Sequence, residues 1–143
     1  MADKPSVSQA MPAVGVEEDP RGDRTLGSSF RWAFAGIWYV LRTQRNFRIH
    51  LLITAGVVAA GVWLGLSALE WAVIALTIAL VLMAEMFNTV AETAIDMVTP
   101  RYHPLAKIAK DVAAGAVVVC AIISVIVGLL VLGPRLVQRV LPW

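Results

Sequence analysis

The sequence predicts an all-α membrane protein: an N-terminal amphipathic helix at the membrane interface, then three transmembrane helices. Two observations carry that prediction. The 143 residues are 59% hydrophobic and only 15% charged, with a mean hydropathy of +0.75, which is too apolar for a soluble domain of this length. The apolar residues also gather into three runs, over 51–69, 71–98 and 112–132. At about 1.5 Å per residue each is long enough to cross a hydrocarbon layer of about 30 Å. The one cysteine, Cys120, sits inside an apolar run and excludes a disulfide framework or a CxxC metal site; it reads as a small buried hydrophobe. The net charge of +2 is mild, and the arginines flank apolar segments, which suits lipid headgroups and not nucleic acid.

Three regions follow in order: a tail over 1–24, a membrane domain over 25–134 and a short C-terminal tail over 135–143. The first carries Pro5, Pro12, Pro20 and scattered charges without an apolar block, so it reads as disordered and not as a signal peptide. Over 25–48 the period becomes helical: Phe30, Ala33, Phe34, Ile37, Trp38 and Leu41 recur at i, i+3, i+4 and i+7, with Arg31, Arg42, Arg45 and Arg48 elsewhere. Aromatics on one face and arginines on the others describe a helix lying along a membrane surface. The first span holds Gly61 and Gly65 as a GxxxG that permits close helix approach. Ser67 to Glu70 make a short turn between Trp63 and Trp71, both placed as interfacial anchors. Pro100 terminates the second span, a polar link follows over 99–107, and Gly133-Pro134 closes the third.

Basic residues set the orientation. Arg42, Arg45 and Arg48 precede the first span and Arg101, Lys107 and Lys110 lie between the second and third, while the turn between the first two has neither Lys nor Arg. The positive-inside rule puts the interfacial helix and the second link in the cytoplasm, with Arg135 and Arg139 counting against it from the other side. The expected location is the inner, cytoplasmic cell membrane.

The second span carries the chemistry. At about 100° per residue Glu85, Asn88, Glu92 and Asp96 form one polar stripe roughly 80° wide and about 16 Å long. An acid at the centre of a membrane helix costs about 2.5–3.5 kcal/mol on insertion scales, so three on one face need partners. The bland alternative is a solvated helix end outside the bilayer. The sharper reading is a cation and phosphate site open to the cytoplasm, where ATP is available. Lys107, Lys110 and Asp111 start the third span, and the short link places both lysines opposite Glu92 and Asp96. Phosphoryl transfer asks for a divalent ion, a positive charge and a group orienting the acceptor hydroxyl. Hard oxygen ligands suit Mg²⁺, which takes one or two carboxylates plus phosphate oxygens. No GxxxxGK[ST] or kinase GxGxxG loop is present, so any nucleotide site is of another kind.

Glu85-x-x-Asn88-Thr89-x-x-Glu92-x-x-x-Asp96, with the His103-Pro104-Leu105-Ala106-Lys107-Ile108-Ala109-Lys110-Asp111 block, resembles the prokaryotic diacylglycerol kinase family, and within it the undecaprenol kinase branch. Ser29-Phe30-Arg31-Trp32-Ala33-x-x-Gly36 and Asn46-Phe47-Arg48-Ile49-His50 extend the likeness, so it covers about residues 28–132. The resemblance implies a homotrimer of three-span chains with active sites shared between subunits. It also implies ATP-dependent phosphorylation of a lipid alcohol, undecaprenol or, as alternative, diacylglycerol. By position it implies Glu85 as the general base, Glu92 as magnesium ligand, Asn88 and Asp96 ordering the nucleotide site, and Lys110 and Asp111 binding ATP. Tyr102 and His103 match a nucleotide-contacting stretch, and Trp32 an aromatic near the adenine.

One position departs from the pattern. The family commonly has a glutamate where Gln44 stands, sharing the metal with the partner of Glu92. Gln44 keeps an oxygen ligand and drops a charge, so weaker Mg²⁺ binding or an altered metal geometry is expected. Two other functions compete: a non-enzymatic membrane protein passing cations or protons along the acidic stripe, and an inactive lipid-binding relative. Lys110-Asp111 and the Asn88 amide favour the kinase.

Overall fold

The computed structural model describes residues 25–99 and 101–141. Among these the regular elements are four α-helices: α1 over Leu26–Thr43, α2 over Arg45–Leu64, α3 over Ala68–Val98 and α4 over Pro104–Val140. Three of them, α2, α3 and α4, are long and apolar enough to cross a membrane, which bears out the expected fold class. The tail expected over 1–24 and the terminator Pro100 lie outside the described residues.

The described residues fall into two units, divided between Gly36 and Ile37. In the first, Thr25 and Ser28 cap the start of α1 reciprocally, each backbone N–H donating to the other's hydroxyl at 3.1 and 3.2 Å. The Arg31 guanidinium stacks 5.1 Å from the Trp32 ring centroid. In the second, Arg42 stacks 4.6 Å from the Trp38 ring.

Local chemistry accounts for each remaining boundary. The helix expected over 25–48 is interrupted: Gln44 is extended, with φ −96° and ψ 113°, and serves as N-cap of α2 without a side-chain cap bond. Arg45 and Arg48 therefore belong to the first spanning helix, which ends at Leu64 and not at residue 69. Gly65 ends it with φ 68° and ψ 51°, a left-handed conformation that glycine adopts freely, and Leu66 N–H returns to the Gly61 carbonyl at 3.2 Å. The GxxxG is thus used within the chain. Gly65 makes the cap, and Gly61 is the bed for Trp71, whose ring would stand 2.8 Å from a Cβ at that position.

Ser67 and Glu70 form a capping box at the start of α3. His103 caps α4, its Nδ1 accepting from the Leu105 N–H at 3.2 Å, and Pro104 occupies the first turn, where its missing donor costs nothing. The link is accordingly shorter than expected, only 99–103. Two expectations at the far end are corrected. Gly133-Pro134 does not close the third span, and 135–140 is not a tail, because α4 runs through Pro134 to Val140. A proline ring removes one interior hydrogen bond, and the rest of the helix holds the segment in register.

α3 is the central element, packing most extensively on α4 and less on α2. Its buried positions are Ile74, Val81, Glu85 and Thr89, spaced by seven and four, so they form one stripe. Large apolar side chains elsewhere, such as Leu76, Leu80, Phe87 and Val90 on α3 and Leu129 and Leu130 on α4, are exposed on the single chain. They present surfaces for lipid or for other chains.

Candidate active site

The polar positions of α3 grade from buried to open along the helix. Glu85 lies on the buried stripe with 2% of its surface exposed. Asn88 and Glu92 are half-buried beside it, and Asp96, toward the link, is exposed. Thr89, also buried, satisfies its hydroxyl by donating to the Glu85 carbonyl at 2.9 Å. The Asn88 amide donates through Nδ2 to Glu92 Oε1 at 3.1 Å. That bond fixes the rotamers of both side chains and turns Asn88 Oδ1 the other way.

Two buried oxygens are left without a hydrogen-bond partner among the described residues: Glu85 Oε1 and Asn88 Oδ1. Unpaired buried polar atoms are costly, about 1–3 kcal/mol each, and a fold retains them where something else pairs with them. The group nearest Glu85 is His50 on α2, whose Nε2 stands 3.4 Å from Oε1, somewhat beyond a formed N–H···O bond. His50 is the residue that sequence reasoning passed over. It appeared only as part of a family motif, although a histidine within a spanning helix is itself a signal.

At the open end Lys110 Nζ meets Asp96 Oδ1 at 2.5 Å, bridging α4 and α3. This is the lysine–carboxylate meeting that the short link predicts. Lys107 does not take part: it pairs at 2.5 Å with Asp111, one turn along its own helix, and faces neither Glu92 nor Asp96. Asp111 is thereby engaged with a lysine on the exposed side of α4. His103 acts in the structure as the helix cap, and Tyr102 beside it is exposed. A groove of about 400 Å³ runs under this corner, lined by residues including Ile95, Val98, Thr99, His103 and Leu105. Gln44 sits at the break between α1 and α2, and Trp32 belongs to the first unit, paired with Arg31.

A divalent ion has limited support from one chain. Among the described residues no three His, Cys, Asp or Glu side chains converge on a point. The donor set nonetheless fits a hard cation that leaves most of its shell to phosphate oxygens: Glu92 has one oxygen held by Asn88 and the other unengaged. The arrangement offers a buried carboxylate, an amide–carboxylate pair and a lysine–aspartate bridge in sequence along one face. That order suits a polyphosphate entering from the link end and a hydroxyl acceptor deeper in the membrane.

The sequence of this region matches known proteins. The family described as prokaryotic diacylglycerol kinase matches residues 31–132. The undecaprenol kinase of Bacillus subtilis is 46% identical over 108 residues, covering 76% of this chain and 88% of its own length. The diacylglycerol kinase of Synechocystis is 51% identical over 111 residues, 77% of this chain but 63% of that protein, so the chain spans under two thirds of that relative. The diacylglycerol kinase of Helicobacter pylori is 30% identical over 101 residues, covering 71% and 79%. The matched region contains α2, α3 and the site-bearing part of α4. The chain belongs to the prokaryotic diacylglycerol kinase family, a family of lipid kinases.

Proposed function

We propose that this protein transfers the γ-phosphate of ATP to undecaprenol, giving undecaprenyl phosphate, at the cytoplasmic face of the inner membrane. The observation that carries the reading is a pair of buried oxygens that form no hydrogen bond among the described residues, Glu85 Oε1 (with His50 Nε2 at 3.4 Å) and Asn88 Oδ1, one helical turn apart on the central helix. Glu85 takes the proton from the lipid hydroxyl as the O–P bond forms. Its burial excludes water, which would otherwise compete as acceptor. A loose transition state asks little of a base, about 10²–10⁴-fold, so positioning the hydroxyl against the γ-phosphate is the larger part of the work. Asn88 holds Glu92, Asp96 holds Lys110 at the mouth, and Lys110 with Asp111, Tyr102 and His103 receives ATP. Glu92 and Gln44 are the residues that would hold Mg²⁺, which when bound neutralises charge on the phosphate oxygens.

A homotrimer with sites shared between subunits accompanies this reading. It is supported by the apolar faces exposed on α3 and α4 and by the scarcity of converging metal ligands among the described residues of one chain. The cytoplasmic assignment rests on the arginines before the first span and the lysines after the second. Undecaprenol is favoured over diacylglycerol because the chain covers 88% of the Bacillus enzyme and 63% of the Synechocystis one. The higher identity to the latter, 51%, keeps diacylglycerol as the second substrate reading.

The deciding experiment presents both alcohols at equal mole fraction in mixed micelles with γ-labelled ATP. Undecaprenol should be preferred by about tenfold or more in kcat/KM. The reverse preference moves the assignment to diacylglycerol, and label in neither lipid removes the kinase reading.

A further inference from the structure

Phosphorylating an alcohol produces a proton that must leave the site on every turnover. The bond from the lipid oxygen to the γ-phosphorus forms, the bond from that phosphorus to the β-bridging oxygen breaks, and ADP departs with its electron pair. The hydroxyl proton is left on Glu85, if Glu85 is the base as read above. Glu85 cannot pass it to water directly, since its side chain is 3% exposed. A carboxyl that stays protonated cannot serve the next turnover.

Against Glu85 stands one basic side chain among the described residues, His50, with Nε2 at 3.4 Å from Oε1 and 20% of its side chain exposed. Among the other charged groups on the packed elements, Glu92 on α3 is held by Asn88 and Lys110 on α4 by Asp96 nearer the mouth, while Lys107 pairs with Asp111 and Arg135 with Glu70. None of these offers a proton acceptor in contact with Glu85. Imidazole is the side chain suited to relay, since one ring nitrogen can accept a proton as the other releases one. The two atoms need to approach by only a few tenths of an ångström to form a bond of ordinary length.

We propose that His50 is the proton outlet of the buried base: it receives the lipid proton from Glu85 at Nε2 and returns it to water from its exposed side. Its role is to reset and orient Glu85, so it is a positioning and relay residue and does not touch the lipid. The inference rests on the reading of Glu85 as base, and the test keeps the two separable.

His50→Gln keeps a polar side chain of similar reach that cannot carry a proton, and His50→Ala opens space for free imidazole. In the full-length protein, His50→Gln should lower kcat by about a hundredfold with KM for ATP unchanged, at the lower end of the range for a proton-transfer residue. The pH profile of kcat should shift, and added imidazole should restore part of the rate of His50→Ala in a concentration-dependent way. A native rate in His50→Gln overturns the proposal. So does a loss that imidazole leaves untouched and that keeps the native pH profile, which marks a packing role. Glu85→Gln run beside them distinguishes the layers. If it is inactive while His50→Gln is native-like, only the outlet fails; if it retains full activity, the base reading fails with it.

Discussion

The two ends of α3 carry acids of the same kind put to opposite uses. At the turn end, Glu70 has both oxygens engaged: Oε2 accepts from Ser67 N–H at 2.7 Å, Ser67 hydroxyl at 2.6 Å and Arg135 Nη2 at 2.7 Å, and Oε1 from Arg135 Nε at 2.9 Å. This saturated cluster ties the α2–α3 turn to α4 beyond Pro134, and nothing is left over for a ligand. Toward the link end, Glu85 and Asn88 each keep a buried oxygen without a hydrogen bond among the described residues, and Lys110 reaches across to an exposed Asp96. A polar cluster that closes on itself holds a fold together. One that remains open, in a helix where every polar group is costly, is arranged around something that arrives later.

Substitutions at the two ends should therefore separate activity from stability. The largest effect is expected at Glu85→Gln, with kcat down by about 10²–10⁴-fold and ATP affinity nearly intact; a matching loss of nucleotide binding would place Glu85 in the ATP site instead. Next is Lys110→Met, which removes the inter-helix cation and should raise KM for ATP by about tenfold, as expected for a partly exposed charge-assisted contact. Smaller is Gln44→Glu, which adds a carboxylate at the α1–α2 break and should tighten Mg²⁺ about fivefold, read from the magnesium dependence of turnover; unchanged or weaker affinity speaks against Gln44 as a ligand. Smallest in activity is Arg135→Gln at the saturated end. It should lower Tm by a few degrees and leave kcat as in the native protein, whereas a large drop in kcat would erase the distinction between the two ends.

Much of this was legible in the residues. The three spans, the polar stripe and the Asp96–Lys110 meeting follow from hydropathy, helical period and a short link. The missed features have separate causes: a backbone break without a glycine or proline, partners chosen by packing, and a proline that the helix tolerates. The helix interruption at Gln44 has no such marker. Arg135 looked like a charge on the wrong side of the membrane, and its pairing with Glu70, 65 positions away, explains its presence there. Lys107 and Lys110 are equivalent by spacing, and only the packing of α4 on α3 sends one to Asp96 and the other to Asp111. Pro134 reads as a terminator, yet α4 continues past it to the arginine that Glu70 holds.

One measurement bears most directly on the open cluster: single-turnover transfer from γ-labelled ATP with Mg²⁺ to undecaprenol by the purified protein in bilayer vesicles, with ion flux across the same vesicles recorded in parallel. Label appearing in the lipid fraction, in step with ADP release and without ion flux, is the predicted result. Flux of cations or protons with no label in any lipid would contradict the account and make the stripe a conduction path.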